Sequence, residues 1–194
     1  SPPTPLPQGE RGAKRPAILY VCGHGSVVEN GVSYGSKVSY QYHPAWFAKH
    51  GYVCIILDTL ELGEIPGEHH GTYSKKQWWW QSVGYTPGGA ELWNAIRALD
   101  YLETRPDVDA KKIGVTGRSG GGATSWWVLA ADDRPVCFAP VAGIADLHAH
   151  VCQGEVERFK KGVITGHCDC MFMVNTYQWD FPLVAALAAP RSLL

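Results

Sequence analysis

A serine between glycines is the strongest chemical signal in this sequence of 194 residues. The run Gly117-Arg118-Ser119-Gly120-Gly121 fits the pattern G-x-S-x-G, in which a serine sits on a strained turn between a strand and a helix. The pattern recurs by chance, but here an apolar run at residues 113–116 precedes it and a helix-like run at residues 120–131 follows it. In that context, small neighbours allow the turn to lift the Ser119 hydroxyl above a sheet. We therefore predict that Ser119 is a nucleophile.

A plain glycine-rich turn and a phosphate-binding loop are the competing interpretations of the same residues. A dinucleotide-binding loop needs G-x-G-x-x-G directly after the first strand, and a P-loop needs Gly-Lys followed by Ser or Thr. Residues 117–121 fit neither pattern. The sequence therefore favours the nucleophile and indicates no cofactor.

A serine nucleophile needs hydrogen-bond donors for the oxyanion that forms on its substrate. The N-terminus of a helix favours negative charge, so the N–H of Gly120 is one candidate donor. The second is the N–H of Gly25 or Ser26, because a loop after an early buried strand supplies this group in hydrolases with such a turn. We predict that His24 and Arg118 contact the substrate. For His24, a structural role in the turn is favoured over proton transfer.

The irregular stretch at residues 59–87 is longer than a simple connection, and such loops are usually functional. It is rich in Gly, His and Trp. We predict that His70 and Trp79 in this stretch bind substrate, since aromatic faces stack on sugar rings and polar groups bind hydroxyls. The alternative is that residues 78–80 pack the loop onto the body of the protein. No metal site is predicted at His69 and His70, because adjacent residues rarely point to one ion.

Apolar runs alternate with helical patterns along the chain, which predicts a mostly parallel sheet with helices on both faces. Strands are expected at residues 17–22, 52–57, 113–116, 136–142 and 191–194, and helices at residues 43–50, 88–105, 120–131 and 183–189. No repeat or linker is visible, so we predict one α/β domain over residues 1–194. Ligands bind such sheets at the carboxyl ends of the strands, where residues 23–26 and 117–121 fall.

Three segments of the chain carry a resemblance to a known family. They are Tyr20-Val21-Cys22-Gly23-His24-Gly25, the helix residues 98–102 (ALDYL) followed by 105–109 (RPDVD), and the turn within residues 113–122 (IGVTGRSGGG). Together they resemble the α/β-hydrolase superfamily, in its acetyl xylan esterase and prolyl-oligopeptidase-like branch. The resemblance covers residues 15–145 well and the rest loosely. It implies the α/β-hydrolase fold and a serine hydrolase that uses a Ser-acid-His triad through an acyl-enzyme, and it leaves the substrate open.

The sequence does not identify the acid and the histidine that would complete a triad with Ser119. The resemblance orders the triad as serine, acid and then histidine, and it places the acid just beyond Leu194. We therefore expect a central part of a larger hydrolase, incomplete at both ends, with little or no esterase activity by itself. The alternative uses Asp146, which follows the strand predicted at residues 136–142, with His167 as the base. A solvated loop explains Asp146 and His167 equally well.

Composition excludes several other functions. Seventeen Lys and Arg against 18 Asp and Glu give a net charge of −1, so the chain has no electrostatic footprint for nucleic acid. The chain contains no run of 18 apolar residues, the length that a membrane-spanning helix would need. The expected partner is therefore a small-molecule or carbohydrate ester. The sequence indicates no oligomeric state.

The six cysteines do not decide the cellular compartment. Three lie in apolar runs and are expected to be small buried side chains, namely Cys22, Cys54 and Cys137. Three lie in polar sequence, where one disulfide could form, namely Cys152, Cys168 and Cys170. The segment at residues 167–170 (HCDC) lacks a second ligand pair at zinc-finger spacing, so no metal site is predicted there. A secreted or periplasmic location is slightly favoured.

Three functions fit these observations. The first is a serine esterase that acts on acylated carbohydrate or another small ester. The second is a serine peptidase of the prolyl-oligopeptidase type, and the third is a non-catalytic, hydrolase-like binding module. Reaction of Ser119 with a fluorophosphonate would separate the enzymes from the binding module.

Overall fold

The computed structural model describes residues 12–144, 146 and 177–194. In this part of the chain the central sheet has five parallel strands, which are in spatial order β4 (Val53–Leu57), β1 (Arg15–Val21), β5 (Val108–Arg118), β6 (Cys137–Val141) and β7 (Ser192–Leu193). A separate hairpin pairs β2 (Val28–Glu29) with β3 (Val32–Ser33). The parallel order requires crossover connections between the strands, and helices supply most of them.

The helices lie in the connections between successive strands of the central sheet. They are α1 (Tyr42–Lys49), α2 (Thr72–Lys75), α3 (Trp79–Ser82), α4 (Pro87–Thr104), α5 (Gly120–Ala131) and α6 (Phe181–Ala186). The long helix α4 has a defined start, because Thr86 accepts a hydrogen bond from the N–H of Gly89 at 3.0 Å and Pro87 occupies the first helical position. Among the described residues, no helix is both long and apolar enough to cross a bilayer.

The two faces of the sheet are covered by different helices. Side chains at alternate strand positions point to one face, and those of Leu19, Val115 and Phe138 belong to a core cluster that also contains residues of α4 and α5. On the opposite face, the ring of Tyr20 stacks on that of His43 in α1, with centroids 4.9 Å apart. The predicted α/β fold with helices on both faces is therefore confirmed.

Several details differ from the sequence-based predictions. The stretch at residues 59–87 contains α2 and α3, so it is not irregular throughout. The β2–β3 hairpin was not predicted, and it turns on Asn30 and Gly31, both with positive φ. Cys22 is buried, as predicted, and its burial raises the pKa of the thiol to about 12.

The other two cysteines expected to be buried are only partly so. Cys54 and Cys137 are free thiols of intermediate exposure, because they lie on strands whose faces are incompletely covered. The cysteines at positions 152, 168 and 170, among which one disulfide could form, lie outside the described residues.

An ion-pair network joins α4 to the end of α5. Arg134 donates hydrogen bonds to both carboxylate oxygens of Asp132, at 2.6–3.1 Å, and to Asp100 at 2.7 Å and Glu103 at 2.7 Å. Burial raises the pKa of Asp132, but the hydrogen bonds and charge of Arg134 outweigh this effect and hold the pKa below its ordinary value of 3.8. A carboxyl with a depressed folded pKa stabilises the fold above its ordinary pKa, and the contribution is lost as the pH falls through the folded value.

We expect Arg134→Met to lower the free energy of unfolding by about 1–2 kcal/mol at pH 7, because Arg134 is partly exposed and its pairs are partly screened by solvent. The difference in stability between wild type and variant should narrow as the pH falls below about 4, because the Asp132 carboxyl is protonated there in the unfolded chain, whereas in the folded protein its lowered pKa delays protonation to a lower pH. Urea denaturation from pH 3 to pH 7 measures both effects. Lys112→Met, which removes only a surface pair with Asp109, is the control and should change stability by less than about 0.5 kcal/mol. A gap that is constant with pH would contradict the assignment.

Candidate active site

Ser119 occupies a sharp turn between β5 and α5. Strand β5 ends at Arg118 and helix α5 begins at Gly120, so Ser119 is the single residue that links the two elements. Its backbone has φ 58° and ψ −117°, a combination that non-glycine residues rarely adopt and that costs roughly 1–3 kcal/mol. The residue is exposed at the carboxyl end of the sheet. The strain points to a functional reason for holding this hydroxyl in place.

Neighbouring glycines make this turn possible because the backbone of β1 lies against it. A Cβ on Gly117 would approach the carbonyl oxygen of Val21 to 2.5 Å, and one on Gly121 would approach the same oxygen to 2.0 Å. Both distances are shorter than real Cβ contacts, so only glycine fits. The spacing of the G-x-S-x-G pattern is therefore a packing requirement of β1 against the turn.

The end of β6 supports the turn from the other side. The N–H of Ser119 donates to the carbonyl of Val141 at 2.9 Å, and the N–H of Ala123 donates to the carbonyl of Ser119 at 2.9 Å. Ala142 and Gly143 both have positive φ, and a Cβ on Gly143 would lie 2.7 Å from the carbonyl oxygen of Ser119. Hydrogen bonds and close packing therefore fix the Ser119 backbone on two sides.

The predicted oxyanion donors lie on the two segments that border Ser119. Gly120 is the first residue of α5, where N–H groups have no acceptor within the helix. Gly25 is exposed on the loop after β1. Ser36 holds the start of this loop, because its hydroxyl donates to the carbonyl of Gly23. These placements are compatible with the predicted oxyanion hole.

His24 belongs to a buried polar cluster that the sequence analysis did not identify. Its Nε2 lies 3.3 Å from Oε1 of Glu91, and Nδ1 of His69 lies 2.9 Å from the same oxygen. The other carboxylate oxygen of Glu91 accepts a hydrogen bond from Thr124 at 3.1 Å. The His24 ring also packs on the turn, since a Cβ on Gly120 would lie 2.3 Å from Nε2. The structural role favoured for His24 agrees with these contacts.

Two imidazoles and a hydroxyl surround the buried carboxylate of Glu91. Burial raises its pKa, but the hydrogen bonds and charges of His24 and His69 outweigh that effect and hold the pKa below its ordinary value. The sequence does contain a signal for this residue. Glu91 lies four, seven and eleven positions before Ala95, Ala98 and Leu102, so it falls on the buried stripe of α4. A carboxylate on such a stripe requires polar partners.

Asp58, at the end of β4, organises the loops beside the site. Its carboxylate accepts hydrogen bonds from the N–H groups of Ser36 at 2.9 Å, Thr59 at 3.1 Å and Glu64 at 3.3 Å. The ammonium group of Lys37 lies 3.4 Å from it. These partners belong to two segments, one at Ser36 and Lys37 and one at residues 59–64, so the contacts assign Asp58 a structural role in holding these loops together.

The remaining predicted site residues lie on separate segments of the chain. Arg118 is exposed immediately before Ser119. The N–H of His70 donates to Glu61 at 2.9 Å, and Trp79 is 61% exposed at the start of α3. Asp146 lies five residues beyond the end of β6, whereas His167 is outside the described residues. The roles predicted for these residues stay predictions.

The Trp run divides into two environments. Trp80 is 7% exposed and packs on Gly71, where a Cβ would lie 1.9 Å from the indole ring. Trp78 and Trp79 are 47% and 61% exposed. The proposal that the run packs the loop onto the protein therefore holds for Trp80, and the other two indoles face solvent.

The sheet and its serine turn define an α/β-hydrolase. The prolyl oligopeptidase family (Peptidase_S9) matches residues 38–167, and the chain belongs to this family. Among curated relatives, the candidate hydrolase YtaP of Bacillus subtilis (strain 168) is 26% identical over 147 residues, which are 74% of this chain and 48% of YtaP. Dipeptidyl-peptidase 5 of Porphyromonas gingivalis is 29% identical over 191 residues, which are 92% of this chain and 26% of that protein.

Solved structures share the fold. A candidate acetyl xylan esterase of Bacteroides fragilis NCTC 9343 superimposes with a TM-score of 0.71 at 17% identity, over 98% of this chain and 56% of that chain. The chain spans half or less of the length of YtaP and Dipeptidyl-peptidase 5. The resemblance to the α/β-hydrolase superfamily is thus confirmed for family and fold.

Proposed function

We propose that the protein that contains this chain is a serine esterase, with Ser119 as its nucleophile. The observation that carries this proposal is the backbone of Ser119, which is strained at φ 58° and exposed directly before the N-terminus of α5. A strained, rigidly supported serine at a helix N-terminus is arranged to present its hydroxyl to a substrate and to stabilise the negative charge that follows attack.

The chemistry proceeds in two steps. Ser119 Oγ forms a bond to the ester carbonyl carbon while a histidine accepts the hydroxyl proton, and the N–H groups of Gly120 and Gly25 stabilise the oxyanion. The alcohol leaves with that proton, and water then hydrolyses the acyl-enzyme. Each oxyanion donor contributes roughly 3 kcal/mol to transition-state stabilisation. The candidates for the other two members of the triad are Asp146 with His167, or an acid and a histidine elsewhere in the full-length protein.

For the substrate, we infer an acylated carbohydrate. Trp78 and Trp79 present large aromatic faces to solvent on the segment that joins β4 to α4. Exposed indoles stack on sugar rings, and neighbouring polar groups such as His70 can bind hydroxyls. The acetyl xylan esterase-like fold supports the same substrate class.

A serine peptidase is the second candidate. The observation that favours it is the 29% identity to Dipeptidyl-peptidase 5 over 191 residues of the chain. Both candidates use the same nucleophile and oxyanion donors, so they differ only in the bond that is cleaved and in the groups that bind the substrate.

The test is a fluorophosphonate probe applied to the full-length protein that contains this chain, followed by peptide mass spectrometry. Modification of Ser119, and no modification of the Ser119→Ala variant, supports an activated serine. An unmodified Ser119 in the folded protein would favour the non-catalytic binding module. Parallel assays with acetylated xylan and a prolyl amide then decide between the esterase and the peptidase.

Trp79→Ala tests the carbohydrate hypothesis. We expect KM for an acetylated xylo-oligosaccharide to rise about 5–10-fold, because a stacked aromatic ring contributes roughly 1 kcal/mol to binding. Hydrolysis of p-nitrophenyl acetate, which has no sugar ring, should change less than twofold. Trp46→Ala removes another exposed indole, on α1, and serves as the control. An equal effect on both substrates would argue against sugar stacking at Trp79.

A further inference from the structure

The buried cluster of His24, His69 and Glu91 has the composition and geometry of a metal site. One ligand atom from each residue lies within 4.8 Å of the other two. Nε2 of His24 is 3.3 Å and Nδ1 of His69 is 2.9 Å from the same oxygen, Oε1 of Glu91. The two imidazole rings meet edge to face, with centroids 4.1 Å apart.

These distances suit a tetrahedral ion. Zinc binds imidazole nitrogen and carboxylate oxygen at about 2.0–2.2 Å, so two ligand atoms of a tetrahedral site are separated by about 3.3 Å. The two measured separations from Oε1, 2.9 Å and 3.3 Å, are close to that value. The ligand atoms of the two imidazoles lie within 4.8 Å of each other, so side-chain adjustments would bring the three atoms onto a common ion.

Burial and charge also favour a cation. Glu91 is 4% exposed and His69 is fully buried, while the side chain of His24 is 13% exposed. A buried carboxylate requires positive charge or hydrogen-bond donors nearby. One divalent ion would satisfy the carboxylate and both imidazoles together. The hydrogen bond from Thr124 to the second oxygen of Glu91 is the kind of outer contact that orients a metal-binding carboxylate.

We propose that His24, His69 and Glu91 bind Zn²⁺ or a similar transition-metal ion. Two imidazoles and one carboxylate are a common set of zinc ligands that leaves a fourth position open. Mg²⁺ and Ca²⁺ are excluded as preferred ions because they select oxygen ligands over imidazole. The inference is independent of ester hydrolysis and assigns no step of the reaction to the ion.

The ion acts as a clamp beside the serine turn. His24 belongs to the loop after β1, His69 to the segment before α2, and Glu91 to the second turn of α4. These three segments are distant in sequence, and an ion bound to all of them fixes their relative positions. Because the His24 ring packs on Gly120, the clamp also fixes the loop that carries Gly25 relative to α5.

The first experiment uses the full-length protein that contains this chain. After dialysis against a chelator, addition of Co²⁺ should produce visible absorption bands that saturate at one equivalent, and Zn²⁺ should displace them. Zinc at about 100 times its dissociation constant should raise Tm by about 5–10 °C. Absence of the bands together with an unchanged Tm would overturn the proposal and leave a hydrogen-bonded cluster only.

Variants then locate the site. His69→Ala and Glu91→Gln should each reduce the bound Co²⁺ by at least tenfold, whereas the neighbouring His70→Ala variant should bind like wild type. Ser119→Ala should also bind one equivalent, which separates this proposal from the proposed esterase. Equal loss in His70→Ala and His69→Ala, or full retention in His69→Ala, would overturn the assignment. If Glu91→Gln does not fold, the wild-type titration and His69→Ala still decide.

Discussion

Replacement of Ser119 by alanine is expected to lower kcat/KM for p-nitrophenyl acetate by about 10⁵-fold in the full-length protein. Alanine lacks the oxygen that attacks the carbonyl, while its Cβ preserves the shape of the turn. The oxyanion donors and the binding surface stay intact, so a small residual rate over water should persist. Steady-state kinetics of the purified variant, with circular dichroism to confirm the fold, measure this effect.

A companion substitution separates chemistry from strain. Ser119→Gly should be as inactive as Ser119→Ala, but glycine adopts φ 58° without the steric cost that a Cβ imposes. We expect Tm of the glycine variant to exceed that of the alanine variant by about 2–4 °C, which corresponds to roughly 1 kcal/mol in a domain of this size. Serine at this position therefore trades stability for a presented hydroxyl.

Two outcomes would contradict the role of Ser119. An alanine variant with more than about a tenth of the wild-type activity would place the nucleophile elsewhere. A glycine variant less stable than the alanine variant would show that the turn is not strained. Each outcome rejects a different part of the argument, since the first concerns chemistry and the second concerns the backbone.

The sequence predicts the elements that have a strong local pattern. Helix α5 has the predicted bounds, because a glycine-rich turn starts it and an apolar run sustains it. Strand β5 is longer than predicted. Its first half contains the exposed residues Lys111 and Lys112, so this half does not show the continuous apolar run that identifies a buried strand. Local patterns therefore locate an element better than they locate its ends.

The polar cluster shows where sequence reasoning stops. His24 and His69 are 45 positions apart, and Glu91 lies on a helix 22 positions further on. Only the crossover from β1 to β4 and then to α4 brings them together. His70 is the neighbour of His69 in the sequence, but in the structure Nδ1 of His69 lies 2.9 Å from a carboxylate oxygen of Glu91. The sequence did offer one signal for the cluster, a carboxylate on an otherwise apolar stripe of α4. The partners of that carboxylate could not be identified without the fold.

The β2–β3 hairpin was missed for a different reason. Asn30-Gly31 is a strong turn signal, but the flanking strands are two residues long and exposed. They lack the apolar alternation that identifies longer strands. Turn chemistry alone would have located this hairpin.

Gly121→Ala is expected to destabilise the fold by at least about 3 kcal/mol, a large part of the 5–15 kcal/mol that typically holds a domain together. In an ordinary helix this change stabilises by up to about 1 kcal/mol. Here the new Cβ would lie 2.0 Å from the carbonyl oxygen of Val21 and 2.7 Å from that of Cys22. Both oxygens belong to the backbone at the carboxyl end of β1, which cannot rotate away as a side chain can. The clash is relieved only if α5 moves away from the sheet.

Urea denaturation of Gly121→Ala and of a matched variant, Gly25→Ala, measures this effect. At Gly25 the nearest atom to an added Cβ is Ser36 Oγ at 3.8 Å, so its stability should stay within about 0.5 kcal/mol of wild type. If both variants melt like wild type, α5 does not lie against the end of β1 as described. The strained backbone of Ser119 would then lose its support from β1 and keep only that from the end of β6. The esterase proposal and the packing of the turn therefore depend on the same glycine.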